Sequence, residues 1–229
     1  MVDVISKENA YLYADALDDM HRMRYRVAVG EWGWRIPGVE RGFDKDDFDT
    51  DETIYFVSLD PTGSKVLACS RLNPTTGATL LRDVFPHQCQ FQDVPCDPAV
   101  FELSRYVVDA HAMSKETAIA VRARMSAAVN LFCLAAGIRS LAILTYMSSY
   151  ARSLSVWPTR PLGLPTYYDD DEAPYIAALC DMVPQGLQKL RAGYGLRPEE
   201  PHLVTRLAPD HLPLTRRIQS EIRSHVLAA

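Results

Sequence analysis

The order of patterns along the chain predicts an α/β fold, a three-layer α-β-α sandwich built on a mixed sheet. Three observations predict it. Apolar runs of strand length, separated by turn residues, occupy residues 53–84. A further strand follows as Phe101-Glu102-Leu103-Ser104-Arg105-Tyr106-Val107-Val108-Asp109. From Ser114 onward helical and strand patterns alternate, the order that layers helices onto a sheet.

Val2 to Ile5 reads as a short strand. Ser6 or Asn9 suits the N-cap of a helix running to about Val27, with Leu12, Ala16, Met20, Met23 and Val27 at helical spacing. His21, Arg22, Arg24 and Arg26 fall in its last turns, where cations complement the helix C-terminus. Between residues 28 and 53 periodicity disappears. Trp32, Trp34, Pro37-Gly38 and the acidic run from Asp44 to Asp49 make a long irregular segment. Such loops inside compact domains are functional or disordered, and two tryptophans argue against disorder. A loop folded over a ligand is expected.

Thr53–Leu59, the turn Asp60-Pro61-Thr62-Gly63 and Lys65–Leu72 read as a hairpin. Thr79–Val84 reads as a third short strand or extended segment, and residues 87–98 as loop. A helix is expected from Ser114 to about Ala136, with Ile119, Met125, Val129, Phe132 and Cys133 as apolar positions and Gly137 just past its end. Ser140–Thr145 follows as a buried strand, Tyr146–Leu154 as a short helix, and Pro158–Leu164 as an extended piece. Asp169–Glu172 is an acidic loop, Tyr175–Met182 a last strand, and Pro184 opens a helix to Arg191. Beyond Gly193 the chain is Pro-rich until a weakly amphipathic helix, Thr215–Leu227. Nothing marks a second domain, so residues 1–229 are read as one, with 195–229 as a C-terminal extension.

The chain has 229 residues, 48% of them hydrophobic and 23% charged, the balance of an ordinary globular protein. Its net charge of -5 argues against a nucleic-acid binder. Cys69, Cys89, Cys96, Cys133 and Cys180 show neither a disulfide framework nor zinc spacing, so no metal is expected and the thiols suit a reducing compartment. The N-terminal residues lack the pattern of a signal peptide, and no apolar run approaches membrane-spanning length. A cytoplasmic protein without membrane insertion is expected.

The chemistry centres on the 101–109 strand. Side chains alternate along a strand, which puts Glu102, Ser104 and Tyr106 on one face and Phe101, Leu103, Arg105 and Val107 on the other. A carboxylate and a guanidinium in an apolar strand are costly to bury without partners. They read either as a structural ion pair or as a general base with an orienting hydroxyl. Asp44, Asp46 and Asp49 read either as a solvated loop or as partners for the arginines.

Arg24-x-x-Val27, Trp34, Asp44-x-Asp46-x-x-Asp49, Arg71-Leu72-x-Pro74-Thr75, Asp83-Val84-Phe85-Pro86 and Glu102-x-Ser104-Arg105 together resemble the LuxI-type acyl-homoserine lactone synthases, the autoinducer synthases of bacterial quorum sensing. The resemblance covers residues 1 to about 165 in matching order. Ala28 stands where the family usually has Phe, and Asp44 where it usually has Glu. The resemblance implies a GNAT-like sheet with a cleft between splayed strands for the phosphopantetheine arm of an acyl carrier. It implies S-adenosylmethionine as a substrate rather than a permanent cofactor, and acyl-CoA or an acyl carrier protein as the acyl donor. The amino group of S-adenosylmethionine attacks the thioester, and its carboxylate then closes the lactone and expels methylthioadenosine.

By the same resemblance Glu102 and Ser104 are the catalytic candidates. Arg24, Trp34, Asp44, Asp46, Asp49, Arg71, Phe101 and Arg105 are the candidates for S-adenosylmethionine binding within and around the 28–53 loop. The arginines suit the donor's carboxylate and Trp34 its sulfonium. Tyr106, Leu131, Thr145 and Met147 are expected to line the acyl pocket, with plain core packing as the alternative. A threonine near the end of this strand is associated in the family with 3-oxo-acyl substrates. Pro161-Leu162-Gly163-Leu164-Pro165 looks like members that take branched or aryl acyl groups from coenzyme A.

Two rivals come from other classes. A GNAT-type N-acetyltransferase needs a Gly-rich pyrophosphate loop, and Asp109-Ala110-His111-Ala112-Met113-Ser114 contains no Gly. A non-catalytic sensor of S-adenosylmethionine or of a lactone needs no base at Glu102.

Overall fold

The computed structural model describes residues 1–36, 38–167, 173–200 and 203–204. Within them lies one mixed sheet of eight strands: β1 (Val2–Ile5), β2 (Ile54–Leu59), β3 (Val66–Pro74), β4 (Val100–Val108), β5 (Ser140–Tyr146), β6 (Thr159–Pro161), β7 (Tyr175–Asp181) and β8 (Leu203–Val204). Their order across the sheet is β6-β7-β5-β4-β3-β2-β1-β8. The β4–β5 and β1–β8 pairs are parallel and the others antiparallel.

Helix α1 (Ala14–Arg24) and the short α2 (Leu80–Asp83) cover one face of the sheet; α3 (Lys115–Ala136), α4 (Met147–Val156) and α5 (Pro184–Tyr194) cover the other. This is the expected sandwich. The reason lies in α3, which is apolar on two sides. Met125, Val129 and Phe132 pack on the sheet, where Phe132 meets Phe56 edge-on at 5.2 Å. Ala123, Ala127 and Leu131 face Leu187 and Leu190 of α5. Each large side chain so buried contributes about 1.5–3 kcal/mol. That double burial also makes α3 long and apolar enough to cross a membrane, contrary to the expectation that no segment approaches this. It is a core helix, with 67% of its apolar window buried. Ile119, expected inside, is 44% exposed.

Three elements differ from expectation. The first helix is not continuous from residue 9 to 27. A 3-10 turn (Ala10–Tyr13) precedes α1, and a wider π-helical turn (Tyr25–Glu31) follows it, so residues 28–31 are helical and the irregular loop begins at Trp32. Asn9 does not cap; its side chain accepts Ser6 N–H and donates to the Val4 carbonyl. Residues 79–84 form α2 rather than a strand, because the Thr79 hydroxyl accepts Arg82 N–H and Asp83 accepts Thr79 N–H. β8 was not foreseen in the Pro-rich segment. The acidic loop 169–172 and the helix expected over 215–227 lie outside the described residues, as does most of the extension from 195.

Two irregularities in β4 prepare the site. Pairing with β5 stops at Leu103–Ile143, although both strands run on, so their ends splay apart. Pairing with β3 slips at the same place. Cys69 lies opposite Val107 and Arg71 opposite Ser104, so Arg105 and Tyr106 together face Ser70 alone. This is a β-bulge. Arg105 sits in it at φ +50, the one non-glycine residue with positive φ among the described residues, a conformation costing about 1–2 kcal/mol for a residue with a Cβ.

Candidate active site

The bulge overturns strict alternation along β4. Glu102 and Ser104 keep the expected common face, toward α2 and the 32–53 loop. Arg105 and Val107 join that face, while Tyr106 turns to the α3 side, where its hydroxyl donates to the Arg122 carbonyl at 2.8 Å. The grouping of Tyr106 with Glu102, and of Arg105 with Leu103, is therefore corrected. One residue of slip flips every side chain beyond it.

Arg24 on α1, Arg71 on β3 and Arg105 on β4 meet Asp44, Asp46 and Asp49 of the loop. Arg24 reaches Asp49 at 2.9 Å and Asp44 at 3.1 Å. Arg105 reaches Asp44 at 3.0 Å and Asp46 at 2.6 Å. Arg71 reaches Asp46 at 2.5 Å and Asp49 at 3.0 Å. Charges alternate around a closed, net-neutral ring. Arg24, Arg71, Asp44 and Asp49 have no exposed side-chain surface, and Arg105 and Asp46 retain 7% each. Burial would lower the Arg24 pKa, but Asp49 and Asp44 outweigh it and hold it above its ordinary value. Burial would raise Asp49, but Arg24 and Arg71 hold it well below the carboxylate range. At Arg105 burial prevails over Asp44 and the pKa falls.

Two residues that sequence reasoning missed support this ring. The Tyr55 hydroxyl donates to Asp49 at 3.0 Å from β2, directly opposite Arg71. His21, kept below its ordinary pKa by burial and by Arg24, lies with Nδ1 2.8 Å from the Asp44 carbonyl. A carbonyl only accepts, so Nδ1 carries the hydrogen. Continued from Leu59–Val66, regular pairing would set Tyr55 opposite Ser70; a register shift between Ser58 and Leu59 sets it opposite Arg71 instead, so neither Tyr55 nor His21 was legible.

Glu102 is 2% exposed. Its two oxygens accept the N–H groups of Leu80 at 2.9 Å and Leu81 at 2.8 Å, so its nearest partners are the first turn of α2 rather than a cation. Burial pushes its pKa up, against the pull of these N–H groups and of Arg71. Ser104 Oγ accepts from Arg71 Nε at 3.0 Å, linking this corner to the ring. Phe101 packs toward the α3-side core.

Trp34 hangs from the Ala28 carbonyl by its backbone N–H at 2.9 Å. Its ring lies 5.9 Å from the Arg105 guanidinium and 5.2 Å from Trp32, and its Nε1–H donates to Tyr146 Oη at 3.3 Å. Of the acyl-pocket candidates, Leu131 is fully buried between α3 and α5. Leu141 and Ile143 pack on the α3 side and Ala142 and Leu144 on the other, so alternation puts Thr145 on the α3 side with Tyr106. Met147 begins α4, just beyond the splayed end of β5.

The sequence model of the family described as autoinducer synthase matches residues 8–166. The isovaleryl-homoserine lactone synthase of Bradyrhizobium diazoefficiens is 31% identical over 197 residues, 86% of each chain. The structure of the CoA-dependent acyl-homoserine lactone synthase BjaI, with SAM and isopentyl-CoA, superimposes with a TM-score of 0.80 at 29% identity, covering 96% of this chain and 99% of that one. That of another CoA-dependent acyl-homoserine lactone synthase, MesI, gives 0.76 at 25% identity, covering 86% and 96%. By the match to the family's sequence model over most of its length and by the Bradyrhizobium diazoefficiens relative, the chain belongs to the autoinducer synthase family, the acyl-homoserine-lactone synthases.

Proposed function

We propose that this enzyme joins S-adenosylmethionine to an acyl thioester across the split between β4 and β5, with Glu102 as the base. The observation that carries the reading is the position of Glu102. It is buried, with a raised pKa, one residue before the strands part and on the same face as Ser104 and the ring. Two of its lone-pair sites are taken by α2 and others remain for a water. Through that water Glu102 takes a proton from the ammonium, and the amine nitrogen bonds to the thioester carbonyl carbon. The C–S bond breaks and the thiolate leaves with a proton. The carboxylate of the acylated donor then attacks the carbon next to the sulfonium, closes the lactone and releases methylthioadenosine.

Arg24 and Arg71 brace the loop, and Arg105 and Asp46, the ring members with exposed surface, meet the donor's polar end. Trp34 meets its sulfonium. The acyl group lies on the α3 side with Tyr106 and Thr145, while Glu102 lies on the other. The thioester therefore passes through the sheet where β4 and β5 separate. Leu131 packs too deeply between helices to be among the first contacts.

The donor is a coenzyme A thioester with a compact, branched acyl group. The likeness to an isovaleryl-homoserine lactone synthase, and the resemblance of the Pro161–Pro165 segment to members that take acyl groups from coenzyme A, support this. So does the charge pattern. Acidic carrier proteins dock on basic patches, but Arg124, Arg139 and Arg160 are each paired with a carboxylate, Glu200, Asp97 and Asp181. Steady-state kinetics with one acyl group on both carriers test the reading. A far higher kcat/KM for the carrier-protein thioester, reduced by charge reversal at Arg122 and Arg124, contradicts the donor assignment. Lactone from neither carrier, in protein that binds S-adenosylmethionine, contradicts the function.

A further inference from the structure

Tyr146 ends β5 on the open side of the split, and nothing in its sequence surroundings marked it. Its ring lies 4.2 Å from that of Tyr175, its partner across the β5–β7 pair, so the sheet itself fixes the position of its hydroxyl. That hydroxyl accepts the indole N–H of Trp34 at 3.3 Å. Trp34 sits on an irregular loop and is otherwise held by its backbone bond to Ala28 and by the rings and guanidinium around it. The tilted Trp32 contact and the Arg105 guanidinium are not directional toward the indole nitrogen, so they do not by themselves select which way Nε1 points. A directional bond to Nε1 makes that selection, because only one orientation of the indole points the nitrogen at β5. The line Arg105–Trp34–Tyr146 then runs from β4 to β5 across the mouth of the split.

We propose that Tyr146 is a positioning residue for S-adenosylmethionine, acting by holding the indole of Trp34 in its binding orientation from the opposite strand. The proposal rests on Trp34 being part of the S-adenosylmethionine site. A ring already oriented gives up less freedom when the ligand arrives, so the bond appears as affinity.

Calorimetric titration of S-adenosylmethionine into the full chain tests this with Tyr146→Phe, Trp34→Phe, the double variant and Trp34→Ala. Tyr146→Phe keeps the ring that stacks on Tyr175, and Trp34→Phe keeps an aromatic face without the N–H donor. Each is expected to weaken S-adenosylmethionine by about threefold to tenfold, the worth of one such hydrogen bond. The double variant is expected to lose no more than either single one, since both remove the same bond. KM for the acyl thioester and the melting temperature of Tyr146→Phe stay within twofold and two degrees of wild type, on the order of measurement scatter. Unchanged affinity in Tyr146→Phe, or losses that multiply in the double variant, overturns the proposal while leaving the Trp34 assignment standing. Full affinity in folded Trp34→Ala overturns that assignment, and this inference with it.

Discussion

Ser104 and Arg105, neighbours on β4, project their side chains to the same face of the sheet. Ser104 accepts from Arg71 Nε, and Arg105 reaches Asp46, the carboxylate that Arg71 also holds. Regular strand geometry forbids this for adjacent residues. The positive φ of Arg105 permits it.

The cost of that conformation and the worth of the ring can be weighed. Arg105→Gly relieves about 1–2 kcal/mol of backbone strain but removes one partner from a buried ion network, which costs about 3–5 kcal/mol. The loss wins, and the variant is expected to be less stable than wild type by about 1–4 kcal/mol. Arg105→Ala lacks the relief and is expected to be less stable still, by about 1 kcal/mol. Urea unfolding orders the three proteins; a Gly variant no more stable than the Ala variant removes strain from the account.

Glu102→Gln changes two things. It deletes the base, expected to lower turnover by about 100-fold or more. It also sets an amide NH₂ against the N–H of Leu80 or Leu81, a mismatch costing about 1–3 kcal/mol. Circular dichroism melts separate the two. In wild type the raised Glu102 pKa means that the charged, basic form appears only above the ordinary value of 4.5, so kcat/KM is expected to climb through that raised pKa and then level. A flat profile across this range rejects Glu102 as base.

Asp49 has the opposite sign. Its folded pKa is depressed, so its contribution to stability is fully present above the ordinary 3.8 and is lost as pH falls below it toward the folded value. Asp49→Asn is expected to flatten this acid limb and to lower stability at neutral pH by about 3–5 kcal/mol. An unaltered acid limb in that variant rules out Asp49 as its source.

Gly163 shows where the Pro161–Pro165 segment is pinned. A Cβ there would lie 2.2 Å from the Gln88 carbonyl oxygen, a backbone atom that cannot swing aside. The segment is also tied by Phe91 N–H to the Leu162 carbonyl. Gly163→Ala is expected to destabilise by about 1–3 kcal/mol, read as a lower denaturation midpoint with unchanged slope. A midpoint equal to wild type means that the two segments separate freely.

The ring was legible only in outline, as three arginines and, in one loop, three aspartates that read either as solvated or as partners for them. The β2–β3 hairpin, α3 and α5 were legible from apolar runs together with turn and end signals: Asp60–Gly63, Gly137 and Pro184. Arg105 was not, since a bulge at positive φ is marked in sequence by glycine and here carries an arginine held by Asp44 and Asp46. Its slip carried Tyr106 to the far face. Residues 79–84 read as a short strand or extended segment, but Leu80-Leu81 and Arg82-Asp83 do not alternate as a strand would, and the local bonds of Thr79 and Asp83 closed a helical turn instead. Tyr146 depended on a contact between residues 112 apart, beyond any local signal.

The central claim is that the amino nitrogen of S-adenosylmethionine becomes the amide nitrogen of the product. Purified protein given S-adenosylmethionine labelled with ¹⁵N at that amine, together with isovaleryl-CoA, is expected to yield an acyl-homoserine lactone carrying the label, with one methylthioadenosine per lactone by mass spectrometry. Free isovalerate as the sole acyl product, or methylthioadenosine released without labelled lactone, would contradict it.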